Sequence, residues 1–207
     1  MKIFIFLSLI ALTFTGCKKK QADFNIKGTI TDISLNQALS GATVEIYKLA
    51  IGSSNEEFYS STTTSNSGEY SFSIPRDKSS GYIIKIIKSN YFELSESINF
   101  SDLSTTKDNI YNYSTSAKSW VRLHFLHSSG TSSDELQYTK QKGKTDCVEC
   151  CSKNMNRIYG LVDTSIYCPN DGNTKYSYLY SFIGTSNTGI KEITTIPFDT
   201  VELLLNY

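Results

Sequence analysis

The chain has 207 residues, with 20 Lys and Arg, 20 Asp and Glu, only 2 His, and a formal net charge of zero. That balance argues against a polyanion such as nucleic acid as partner, and the two histidines leave little material for metal or acid–base chemistry. Tyr (14) and Phe (11) are plentiful and Met (2) is scarce, which favours strands over helices.

Residues 1–16 read as a targeting segment. Lys2 supplies the positive end, and Ile3 to Phe14 form an apolar run broken only by Ser8 and Thr13. A run of about 12 residues is too short for a bilayer span, which needs roughly 20. The stretch Phe14-Thr15-Gly16-Cys17 resembles a bacterial lipobox. It departs from the usual pattern at Phe14 and Thr15, where Leu and a smaller residue are commonest. The resemblance implies cleavage before Cys17, a diacylglycerol on its thiol and acylation of its new amine. Each buried methylene contributes about 0.8 kcal/mol, so two or three chains hold firmly where one holds marginally. Lys18, Lys19 and Lys20 make residues 17–23 a basic tether, each lysine adding about 1 kcal/mol beside an anionic leaflet. Lys rather than Asp after the cysteine resembles an outer-membrane address. The expectation is therefore the periplasmic face of the outer membrane, with the cell surface as the alternative.

Beyond the tether, strands follow one another. Phe24, Ile26, Gly28 and Ile30 alternate with polar residues, as do Val44 and Ile46, then Tyr70, Phe72 and Ile74. Period two over five to seven residues is the mark of a strand with one buried face. Gly28 leaves room for another backbone to approach. Gly41-Ala42 makes a tight strand entry, and Asn66-Ser67-Gly68 supplies a residue tolerant of positive φ. The series Ile26-Lys27-Gly28-Thr29-Ile30-Thr31-Asp32, Leu39-Ser40-Gly41-Ala42-Thr43-Val44 and Thr64-Ser65-Asn66-Ser67-Gly68-Glu69-Tyr70 is similar to the carboxypeptidase regulatory-like domain. That resemblance implies a transthyretin-like (prealbumin-like) β-sandwich over roughly residues 24–100 and an accessory, non-catalytic role. The family's usual Pro before the Gly-Ala pair and Asp before the turn glycine are replaced here by Leu39-Ser40 and Asn66-Ser67.

Residues 101–118 are polar and unpatterned and read as a connection. Alternation resumes at Val121, Leu123 and Phe125 and again at Val201, Leu203 and Leu205. This second half resembles the further β-sandwich that often follows the regulatory-like module in small bacterial lipoproteins. A turn or two of helix is expected over Cys150 to Ile158. The expected architecture is all-β, with two tandem β-sandwiches over residues 24–113 and 114–207 behind the signal peptide. Thr64-Ser65-Asn66-Ser67-Gly68 is echoed by Thr185-Ser186-Asn187-Thr188-Gly189.

Three clusters could carry chemistry. Cys147, Cys150, Cys151 and Cys168 form an even set, which in an exported chain reads as disulfides. Adjacent Cys150 and Cys151 would pair only with strain. That leaves Cys147–Cys150 with Cys151–Cys168, or Cys147–Cys151 with Cys150–Cys168. A four-thiolate zinc site and a redox Cys-x-x-Cys are the sharper alternatives. Next, His124 and His127 sit three apart on a strand, so they face opposite sides and cannot share a metal. Finally, Tyr176, Tyr178, Tyr180 and Phe182 share one strand face, either as core of a central strand or as an exposed platform for sugar or peptide.

No phosphate loop, Gly-x-Ser-x-Gly elbow or His-Glu-x-x-His motif is present. The expectation is a non-enzymatic envelope protein that needs no metal or cofactor, held to the membrane by its N-terminal lipid and binding other envelope proteins or glycans. The alternatives are an accessory subunit of an envelope enzyme or transporter, and a carbohydrate-binding protein using the Tyr176–Phe182 stripe.

Overall fold

The computed structural model describes residues 22–53 and 55–207. Cys17 and Lys18 to Lys20 lie outside the described residues, as does the segment expected to be a signal peptide.

Nearly every element is a strand. The first half contains β1 (Asp23–Asp32), β2 (Gln37–Ala38), β3 (Thr43–Leu49), β4 (Glu56–Thr63), β5 (Glu69–Pro75), β6 (Gly81–Ile87), β7 (Leu94–Asn99), β8 (Asn109–Ile110) and β9 (Tyr113–Thr115). The second half contains β10 (Lys118–His127), β11 (Glu135–Lys142), β12 (Asn156–Tyr159), β13 (Val162–Asp171), β14 (Lys175–Phe182), β15 (Thr188–Thr194) and β16 (Thr200–Asn206).

These strands form two β-sandwiches in tandem. In the first, β1 is flanked by β2 and β5 on one edge and by β8 and β9, running parallel to it, on the other. The facing sheet has the order β4-β3-β6-β7. The alternation read from the sequence places Phe24, Ile26, Ile30, Phe72 and Ile74 of one sheet against Val44 and Ile46 of the other, where Ile84 and Ile86 of β6 join them. Burying each such side chain contributes about 1.5–3 kcal/mol.

The second sandwich packs β13-β10-β16 on β12-β11-β14-β15. Its core is Val121, Leu123, Phe125, Leu203 and Leu205 facing Leu136, Tyr138, Tyr176 and Tyr178.

Two expectations are corrected. Residues 101–118 are more than a connection: they hold β8 and β9, and β10 begins at Lys118. Both short strands are held by β1. Tyr111, between them, donates its N–H to Lys27 O at 2.9 Å. A Cβ on Gly28 would stand 1.7 Å from Tyr111 O, so only glycine fits there. No helix forms over Cys150 to Ile158, where a turn at Cys147–Cys150 leads into β12. The sequence echo is not a shared structure either. Thr64 to Gly68 turns a corner between the two sheets, with Gly68 at φ +75°, whereas Thr185 to Gly189 joins neighbouring β14 and β15.

Candidate functional site

The joint between the sandwiches is built from the far end of β1. Asp32 is buried there. Its Oδ1 accepts the N–H of Ser34 at 2.8 Å and of Leu35 at 3.1 Å, and its Oδ2 accepts the Tyr91 hydroxyl at 2.9 Å. The loop so fixed offers Ser34 Oγ to the Ala117 N–H at 3.0 Å and Ser34 O to Asn173 Nδ2 at 2.6 Å. Lys118 N–H donates to Asn90 O, and Phe198 N–H to Lys118 O, both at 2.7 Å. Phe198 takes a left-handed backbone, φ +65°, and sets its ring edge-on to Tyr91 at 5.4 Å. Such a conformation costs about 1–3 kcal/mol in a non-glycine residue and persists where its surroundings over-determine it. Here the ring contact and the hydrogen bond to Lys118 do so.

Beside this joint lies a groove of about 620 Å³. Phe92 forms its floor, with Lys144 Nζ 4.5 Å and Lys118 Nζ 5.2 Å from the ring centre. Lys118 pairs with Glu149 at 2.8 Å, and Lys144 with Asp146 at 3.3 Å and Asp171 at 3.4 Å. The Lys118 ammonium holds the Glu149 carboxyl below its usual range. Backbone N–H donation, then Lys144, does the same for Asp146. On the rim, Ile33 is 61% exposed and Val148 is fully exposed. A more open cleft of about 530 Å³ lies on the first sandwich between Lys27 and Glu69 and is lined mostly by hydroxyls. Small-molecule and peptide sites favour domain junctions, which singles out the groove.

The cysteines build the groove's outer wall. The disulfides are Cys147–Cys150 and Cys151–Cys168, the first of the two pairings left open by the sequence. Cys168 faces the core from β13, near the Tyr178 hydroxyl. Lys140 explains why Cys151 meets it. This lysine is buried, and its ammonium donates to Lys144 O and Cys151 O, tying the loop to β11. Burial pulls its pKa down.

The aromatic stripe is no platform. Tyr176 and Tyr178 are 0% and 1% exposed, and their hydroxyls lie 3.0 Å apart inside the core. Burial pushes the Tyr178 phenol up to about 12 and Tyr176 higher still. Phe182 packs on the rings of His127 and Tyr207. Tyr180 is half-buried against the same core. The face of β14 carrying these four residues turns inward because β14 is central in its sheet and must cover the core.

The histidines are structural as well. His124, on the outer face of β10, lies between Asp163 at 2.7 Å and Glu202 at 3.3 Å. His127, on the inner side, meets Asp134 at 2.9 Å and the carbonyl of Tyr207. Each ring has an acceptor at both nitrogens, so each makes both bonds only as an imidazolium. The hydrogen bond to Asp163, then that to Glu202, raises the His124 pKa, and Asp134, then the Tyr207 carbonyl, raises that of His127. His127 in turn holds Asp134 down to about 2. Among the described residues no group of three or more His, Cys, Asp or Glu is arranged to hold a metal ion.

Comparisons with known proteins give only distant likenesses. No family model matches the chain, and no curated protein matches it. Solved structures with similar strand arrangements include the streptococcal ancillary pilin, 10% identical, covering 90% of this chain and 63% of that one with a TM-score of 0.37. The shaft pilin SpaA from Lactobacillus rhamnosus GG is 9% identical and covers 89% of this chain and 97% of its own, with a TM-score of 0.36. The 3-chlorocatechol 1,2-dioxygenase from Rhodococcus opacus 1CP is 10% identical over 48% of this chain, with a TM-score of 0.35. The chain spans only 62% of that dioxygenase and 16% of a 9R-lipoxygenase from Cyanothece PCC8801 that is also similar. At these scores the likenesses carry nothing about what this chain does.

The groove itself was not legible in the sequence. Phe92, Lys118, Lys144 and Glu149 are scattered over some 57 positions and share no motif. The one available signal was Val148, an apolar residue caught between two cysteines.

Proposed function

We propose that this chain is a lipid-anchored, non-catalytic module of a bacterial envelope that binds or scaffolds other envelope proteins, with a carboxypeptidase regulatory-like first sandwich. The observation that carries this reading is how the charged groups are used. Asp32, Lys118, Lys140, Lys144 and both histidines tie strands, loops and the joint together, and what they leave at the surface is a braced groove. The hydroxyls beside Asp32, those of Ser34 and Tyr91, are both spent on the joint, so neither is the free nucleophile that covalent chemistry requires.

Geometry supports presentation away from a membrane. The tether leads into Asp23 at one end of β1, and the groove lies at the Asp32 end. Ten strand residues span about 30 Å. A lipid on Cys17 would therefore leave the groove on the side facing away from the bilayer, in an outer membrane according to the residue after that cysteine. The expected glycan platform on Tyr176, Tyr178, Tyr180 and Phe182 has no place in this reading, because that face is core.

The test is fractionation. Replacing Cys17 by Ser should move the protein from the membrane to the soluble fraction, and a variant that stays in the membrane would remove the anchor. Hydrolysis of a peptide or glycan library by the purified full chain would overturn the non-catalytic half.

A further inference from the structure

The groove has a shape and a charge that select one kind of occupant. Its walls are strand margins. Glu93 precedes Leu94 and Ser95 of β7, and Ser114 and Thr115 of β9 run on into Ser116. Among the described residues β7 pairs only with β6, and β9 only with β1; the Phe92 N–H donates to Ser116 O at 3.2 Å where the two walls diverge, and beyond that contact each has one margin unpaired. An unpaired margin offers N–H and C=O groups to an incoming strand.

The apolar contribution is pre-set. Val148 stands on the small ring closed by Cys147–Cys150, with Asp146 and Glu149 on either side braced to Lys144 and Lys118. Ordering costs are thus met before a ligand arrives, which favours affinity. Ile33 and Val148 are the exposed apolar groups on the rim.

The charge is one-sided. Four carboxylates, Glu93, Asp146, Glu149 and Asp171, line the groove against two lysines, Lys118 and Lys144. The surplus is negative and complements a cation. The chain's own basic tether cannot be that cation. It joins β1 at Asp23, about 30 Å away along the strand, and the six-residue span from Cys17 to Asp23 reaches at most about 20 Å.

We infer that the groove receives an extended, positively charged polypeptide segment of a partner protein, which pairs along β7 and sets an apolar side chain against Val148 and Ile33. This rests on reading the chain as a binding module and names the site and the partner chemistry.

The test uses the full chain in a non-ionic detergent and end-blocked, dye-labelled ten-residue peptides that alternate valine with lysine or valine with glutamate. Fluorescence anisotropy should show the lysine peptide binding at least tenfold more tightly than the glutamate peptide. V148S and E93K should each weaken it several-fold, while I190S, on the remote strand β15, should leave it unchanged. Both groove variants alter exposed or rim side chains, and an unchanged thermal melt would show that they fold. Binding should also slow amide exchange at Leu94 to Ser97. Absence of binding, equal binding of both peptides, or indifference to V148S and E93K would overturn the proposal. In the last two cases the chain still binds a polypeptide elsewhere, so the binding-module reading would survive, and the Cys17 variant tests the anchor separately.

Discussion

The two sandwiches reach stability by different routes. Among the described residues the first has sixteen buried apolar residues in its core, mostly aliphatic, and no disulfide. The second has ten, three of them tyrosines, and adds two disulfides, a buried lysine and two histidine clamps. A smaller core leaves less apolar burial to offset chain entropy, and cross-links and buried polar bonds make up the difference. The polar devices also gather where the groove is. Lys140, Cys151 and the Cys147–Cys150 ring all shape its outer wall, so the same bonds that hold the second sandwich hold the binding surface.

This contrast can be broken at several points. The largest effect is expected from Ile84→Ala, which empties the aliphatic core of the first sandwich and should cost about 2–5 kcal/mol. Denaturant melts should show that loss, with the near-ultraviolet signal of Trp120, the chain's single tryptophan on β10, unchanged. Next is removal of the cross-link between Cys151 and Cys168, which stand 17 positions apart. The double variant Cys151→Ser with Cys168→Ser should lose about 3 kcal/mol. Hydrogen exchange should rise across β11 to β15 and stay unchanged in β1 to β7. If exchange rose equally in both halves, the sandwiches would be one cooperative unit and the contrast would fail. Gly28→Ala should cost about 1–3 kcal/mol through overpacking against Tyr111 O, with exchange rising at β8 and β9 first.

A smaller effect separates the halves by pH. Both histidines lie on β10, so only the second sandwich responds near neutrality. Their folded pKa values are raised, so their stabilisation is complete below the unfolded value of about 6.5 and is lost as pH rises through the folded values. Asp134 has the opposite sign. Held down to about 2 from 3.8, it stabilises above its unfolded pKa and loses that contribution as pH falls through about 2. Melting followed from pH 5 to 9 should show the second transition falling while the first holds still, and His127→Asn should flatten that response.

Much of the fold was legible in the sequence, for a local reason. Period-two runs such as Phe24 to Ile30 and Val121 to Phe125 report burial residue by residue, and Gly28 announced the close approach of Tyr111. The short strands β8 and β9 were not legible, because two or three polar residues carry no period and their pairing to β1 spans some 80 positions. The helix expected at Cys150 to Ile158 failed because the disulfides and Lys140 override local propensity. The sidedness of Tyr176 to Phe182 was clear, but which side faced the core depended on β11 and β10. The groove was invisible for the same reason: its charges meet only once the joint at Asp32 and Ser34 is made.

The most direct test of the central claim is the intact mass of the chain extracted from the membrane of an expressing bacterium. The account predicts residues 17–207 carrying the mass of two or three acyl chains, with the fragment containing Cys17 bearing the modification. Recovery of unmodified residues 17–207, or of the whole 207-residue chain, would contradict it.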